Sequence, residues 1–103
     1  MKTILLAFLV FGMVGCQSAP RFAYSDSSGS SLEQAVTIEG AKNDEALDKA
    51  ERAWIAKRYP HSRVDRRSIR GIQFRHYSVI ELTTTEGHSQ TVYFDITDYF
   101  SHQ

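Results

Sequence analysis

The residues of this 103-residue chain that could do chemistry are one cysteine, four histidines, a few carboxylates on strand-like segments and a run of arginines. The histidines are His61, His76, His88 and His102. None is spaced i,i+4 on a helix or set beside a second Cys, whereas a zinc site needs three or four ligands converging at about 2.0–2.3 Å. No metal ligand set is expected. No serine sits in G-x-S-x-G or S-x-x-K, the settings that activate a serine nucleophile. Glu81 and Asp95 fall on neighbouring predicted strands, but the register expected there places them on opposite faces. That counts against a glycosidase-like carboxylate pair. The chain therefore reads as a non-enzyme, with no catalytic residue and no cofactor expected.

The charge map is uneven. Lys57, Arg58, Arg63, Arg66, Arg67, Arg70 and Arg75 stand against one acid, Asp65; from Tyr77 onward Glu81, Glu86, Asp95 and Asp98 stand without a Lys or Arg. Arginine forks match carboxylates and phosphates. Arg63, Arg66, Arg70 and Arg75 are thus candidate contacts for an anionic partner: a protein, a lipid headgroup or an acidic glycan. The competing reading is a solvated edge strand whose charges prevent edge-to-edge pairing. In an extended segment Arg66 and Arg70 share one face, and Arg66 and Arg67 point to opposite faces. Overall the formal charge is balanced. That argues against a nucleic-acid binder, which would carry a basic surplus.

The N-terminus supplies an address. Lys2 precedes Ile4 to Phe11, an uncharged apolar run. The run is too short for a bilayer span, which takes about 20 apolar residues, and fits a signal-peptide core. Met13-Val14-Gly15-Cys16 follows. This tetrad resembles a bacterial lipobox, with Met13 where Leu is usual. The resemblance implies that residues 1–15 are a signal peptide removed on export. It also implies that Cys16 is acylated and holds the chain to membrane lipid. Two acyl chains give stable anchoring, at about 0.8 kcal/mol per buried methylene. Cys16 is the only cysteine, so no internal disulfide can form and an odd Cys in an exported chain is accounted for. Gln17, rather than Asp, follows the Cys. By the same resemblance this points to the outer membrane, facing the periplasm.

Residues 16–34 read as the lipidated Cys and a Ser-rich tether, and residues 35–103 as one small domain. Ala35 to Glu39 is a short strand ended by Gly40. Asn43 is a suitable N-cap, and Asp44 and Glu45 suit the positive end of a helix. That helix runs to about Tyr59, with Lys57 and Arg58 in its last turn and Pro60 as its stop. Its apolar stripe is Ala46, Leu47, Ala50, Ala53 and Trp54. Asp48–Arg52 and Glu45–Lys49 are expected i,i+4 pairs. Strands are expected at Arg63 to Ile69, Phe74 to Thr84 and Ser89 to Ile96, with a turn or bulge at Gly71 and a tight turn at Glu86-Gly87. That turn would pair Val79 with Phe94 and Tyr77 with Ile96. The helix would then cover Tyr77, Val79, Val92, Phe94 and Ile96. Tyr99 and Phe100 either close the open end of the core or form a docking patch.

The fold class is therefore α+β: one helix packed on a small antiparallel sheet, in the order (β)αβββ. The Ala-rich helix, Tyr77-Ser78-Val79-Ile80-Glu81-Leu82, the Glu86-Gly87 turn and Val92-Tyr93-Phe94-Asp95 resemble the PepSY family of small exported bacterial domains. The match spans about 55 residues, and Asp95-Ile96-Thr97-Asp98 lacks the Gly with which such strands usually close. The expected function is a membrane-anchored binding or inhibitory module of the cell envelope. The alternative is a structural or assembly subunit of an outer-membrane complex.

Overall fold

A computed structural model describes residues 22–103. The signal-peptide segment and Cys16 lie outside the described residues. In chain order the elements are β1 (Ala23–Tyr24), β2 (Val36–Glu39), α1 (Asp44–Arg58), β3 (Arg63–Ile72), β4 (Arg75–Thr83), β5 (Ser89–Asp95) and α2 (Thr97–Ser101). The fold is α+β, one long helix on a five-stranded sheet ordered β1-β2-β5-β4-β3. Strands β5, β4 and β3 form an antiparallel meander. Strand β2 joins parallel to β5, and β1 pairs antiparallel with β2.

α1 begins and ends where its caps dictate. The Asn43 side chain accepts the Ala46 N–H at 2.8 Å, satisfying one of the four N–H groups that a helix start leaves free. The Tyr59 N–H still reaches the Ile55 carbonyl at 2.7 Å, and Pro60 follows. Leu47, Ala50, Glu51 and Ile55 are buried, with Ala46 and Trp54 half-buried beside them. The stripe is rotated from the expected one: Ala53 faces solvent and Glu51 takes an inward place. Of the two expected i,i+4 pairs, only Asp48–Arg52 closes among the described residues.

The β4–β5 turn differs from expectation by one residue, and the difference decides the sheet's two faces. The loop is three residues long, not two. The Thr84 N–H donates to the His88 carbonyl, and Gly87 takes φ 87°, the left-handed residue that a three-residue hairpin needs. Val79 accordingly pairs with Tyr93 and Tyr77 with Asp95. A one-residue slip turns side chains to the other face. Ile80 and Leu82, not Tyr77 and Val79, therefore lie under α1 with Val92, Phe94, Val36 and Ile38. The Trp54 ring meets Phe94 edge-on at a centroid distance of 5.5 Å. On β3, Gly71 lies inside the strand; the β3–β4 turn is Gln73-Phe74, and the irregularity falls at Asp65, between Val64 and Arg66. Tyr99 closes the end of the core at 7% exposure, while Phe100 is 38% exposed.

Residues 22–34, part of the stretch assigned to a tether, lie along the sheet. Ala23 and Tyr24 pair with Glu39 and Ile38. The Tyr24 hydroxyl donates to the Ala50 carbonyl at 2.8 Å, and the Ser25 hydroxyl accepts the Thr37 N–H at 2.8 Å. The Gly29 carbonyl accepts the Tyr93 N–H at 2.8 Å, continuing the β5 edge past the start of β2. Gly29 is buried at φ 77°, and a Cβ there would lie 3.2–3.3 Å from Val92, Trp54 and Val36 side chains. Only glycine fits both that backbone and that space.

Candidate partner-binding face

Strand alternation sorts the arginines. On β3 the helix side receives Val64, Arg67 and Ile69, opposite Leu82, Ile80 and Ser78. The other side receives Arg63, Arg66, Ser68 and Arg70, opposite Thr83, Glu81, Val79 and Tyr77. Arg75 shares that second side with Tyr77 two residues on. All four candidate contacts, Arg63, Arg66, Arg70 and Arg75, thus stand on one face. Both helices pack on the opposite face, α1 over the core and α2 through Tyr99 and the Phe100 ring, which stacks on His76 at 4.1 Å.

Two of the four are already engaged. Arg63 Nε donates to Asp65 Oδ1 at 2.7 Å, and the Thr83 hydroxyl donates to Asp65 Oδ2 at 2.6 Å. The Thr83 hydroxyl and the Arg63 guanidinium hold the Asp65 carboxyl below the usual carboxylate range. At the other end of the strand, Arg75 Nε donates to Asp95 Oδ2 at 2.8 Å. Asp95 Oδ1 accepts the Thr97 hydroxyl at 2.6 Å and the Thr97 N–H at 3.0 Å. Burial pushes Asp95 up, but the Thr97 donors and Arg75 outweigh it, so the carboxyl ends below its ordinary value. Arg66 and Arg70 close no ion pair among the described residues. They flank Ser68 on a face that carries Tyr77, Val79, Glu81 and Tyr93.

Arg67 behaves differently. Its guanidinium grips Glu51 with both prongs, Nε to Oε1 at 2.8 Å and Nη2 to Oε2 at 3.0 Å. The Glu51 side chain is 1% exposed. The bond to Glu51 raises the Arg67 pKa further above its already high value. This pair locks α1 to β3, and the expected stripe missed it. Its signal was available: Glu51 lies i+4 from Leu47 and i−4 from Ile55, so it belongs to the buried stripe by position alone.

Glu81 and Asp95 share the open face, not opposite faces as expected. Glu81 stands opposite Thr91 while Asp95 stands opposite Tyr77. Four residues along β4 separate the two levels, about 13 Å, so they form no carboxylate pair. Among the described residues, no three His, Asp or Glu side chains converge as metal ligands. A cavity of about 220 Å³ between α1, β3 and α2 is lined by Leu47, Ile69, Ile96 and Phe100, and its polar walls, Arg67 and Tyr99, are engaged with Glu51 and Asp44. A hollow of about 750 Å³ beside Phe22 and Gly40 holds Asp98 and His102, 3.3 Å apart. Among the described residues, no Ser, Thr or Cys lines it.

No helix among the described residues is long and apolar enough to cross a membrane. No family model matches the chain, and neither the curated proteins nor the solved structures yield a match.

Proposed function

We propose that the chain is a lipid-anchored module of the cell envelope that binds an anionic partner through the open face of its sheet. The observation that carries this reading is the pair Arg66 and Arg70. They stand on the face that neither helix covers and close no ion pair among the described residues. A charged pair of this kind mainly raises the rate of encounter and fixes orientation. Arg63 and Arg75, held by Asp65 and Asp95, frame the patch. The module binds rather than catalyses: the Asp65, Asp95 and Glu51 carboxylates are each taken up by an arginine of the fold. Membership of the PepSY family belongs to the same proposal. A helix followed by a three-stranded meander is what supports it.

The anchor is the acylated Cys16, with the outer membrane as its address. It rests on Lys2, the apolar run and Gly15-Cys16. Expression of the full gene in a Gram-negative host with a fatty-acid analogue tests it: label should enter the wild type and vanish in Cys16→Ser, and equal labelling contradicts the anchor. The binding face is tested by affinity capture from detergent-solubilised envelopes with the wild type and with Arg66→Glu/Arg70→Glu. Captured material should fall in the double variant and in the wild type at high salt, because exposed charges are screened over about 8–10 Å. Co-purifying membrane proteins would favour an assembly subunit; a soluble target would favour an inhibitor.

A further inference from the structure

We propose that the Gln73-Phe74 tip of the β3–β4 hairpin rests on the phospholipid bilayer that carries the anchor. This orientation rests on the Cys16 reading given above.

The tip breaks two local rules at one place. Ile72 pairs with Arg75, so Gln73 and Phe74 alone make the turn, at φ 50° and 68°. Both angles are left-handed, the geometry that Asn-Gly satisfies and that a bulky residue strains. Phe74 is also 99% exposed, far beyond the other large apolar side chains that face solvent. A strained backbone holding a bare aromatic side chain outward points to a contact made by that side chain. From Arg66 to Ile80 the chain contains no acid. Arg70 and Arg75 stand just above the tip on the open face, and Phe100 lies over His76 on the other. Arg75 stays with Asp95, while Arg70 closes no ion pair among the described residues. An aromatic tip below that fork suits the bilayer interface, with the ring among the upper acyl chains and the Arg70 fork at a headgroup phosphate.

The topology puts this tip where an anchor would hold it. Ala23 lies opposite Glu39, Thr37 opposite Asp95 and Asp95 opposite Tyr77. Phe22 therefore enters the sheet at the same end as the Gln73-Phe74 turn. Five residues separate Cys16 from Phe22, a reach of at most about 22 Å over six Cα–Cα steps. Because residues 23–34 lie on the sheet, they add nothing to that reach. The Glu86 turn is at the other end, about 30 Å away along β4. A leash this short brings the tip end, not the Glu86 end, to the bilayer.

The full chain, purified from a Gram-negative host in detergent and returned to vesicles of phosphatidylethanolamine and phosphatidylglycerol, provides the test. Phe74→Cys and, separately, Glu86→Cys are labelled with an environment-sensitive fluorophore, and lipids carrying nitroxides are titrated in. Gln73→Cys is a second tip probe should Phe74→Cys fold poorly by circular dichroism. Intact mass reports the acyl chains independently of the fluorescence. Acylated protein whose tip probe shifts to the blue and loses most of its emission to the nitroxide lipids, while the Glu86 probe does neither, supports the proposal. Acylated protein whose tip probe is quenched no more than the Glu86 probe overturns the orientation and leaves the anchor standing; the tip would then be free for a protein. A mass without acyl chains overturns the anchor, and the orientation with it.

Discussion

Arg66 and Arg67 are neighbours in the chain and serve opposite faces of the sheet. Arg67 turns under α1, where it grips Glu51 with two bonds and ties the helix to the edge strand. Arg66 turns outward, opposite Glu81, and closes no ion pair among the described residues. One face of β3 thus uses Arg67 to hold the fold; on the other, Arg63 is held by Asp65, and Arg66 and Arg70 close no ion pair among the described residues. Residue type does not separate Arg66 from Arg67; the parity of the strand does.

The comparison breaks first at Arg67. Arg67→Ala leaves the Glu51 carboxylate buried without its partner, and breaking a buried pair in this way costs about 3–5 kcal/mol. Urea unfolding should show a loss near the low end, since Arg67 is 35% exposed. Replacing both partners, Glu51→Leu with Arg67→Met, should recover most of that loss, because a buried ion pair is often exchangeable for apolar side chains. Gly29→Ala is the next largest effect, a loss of more than about 1 kcal/mol from forcing a Cβ into a left-handed residue. An unchanged unfolding midpoint would show that residues 22–34 are not part of the folded unit.

The open face responds more weakly and in other ways. Phe74→Gly should raise stability by up to about 1 kcal/mol: relieving a left-handed non-glycine residue returns about 1–2 kcal/mol, offset by about 0.5–1 kcal/mol for the greater freedom of glycine in the unfolded chain. The pH dependence comes from Asp65 and Asp95, whose folded pKa values are lowered. Their contribution is complete above the unfolded value of about 3.9 and is lost as pH falls through the lower folded values. Asp95→Asn should therefore flatten the fall in thermal stability below about pH 4. The smallest effect is that of Arg66→Ala, within about 0.5 kcal/mol of the wild type, as for surface positions generally.

Much of the fold was legible. Asn43, the acids after it and Pro60 bounded α1 to within a residue, and the three strands of the meander sit close to where β-branched and aromatic residues place them. Parity was not legible, because it hangs on one residue of loop length. Glu86-Gly87 reads as a two-residue turn, while the structure closes the loop at Thr84 and His88. The Gln73-Phe74 turn carries no glycine or asparagine to announce it, so Gly71 drew the turn instead. Strand β1 is two residues long in a Ser-rich stretch, and its pairing depends on contacts with β2 that no local pattern encodes. The candidate arginines fared better. Spacing alone predicted that Arg66 and Arg70 share a face apart from Arg67. Which cations would be neutralised depended on Glu51, Asp65 and Asp95, whose positions only the folded sheet brings together.

The most direct test of the division between faces is the Arg66→Glu/Arg70→Glu double variant, followed by unfolding and by envelope capture at low and high salt. If the open face is the binding face, the variant unfolds within about 1 kcal/mol of the wild type, captures far less material, and loses the salt sensitivity of what remains. A variant that folds and captures as the wild type does, at both salt concentrations, would make the open face a solvated edge and nothing more.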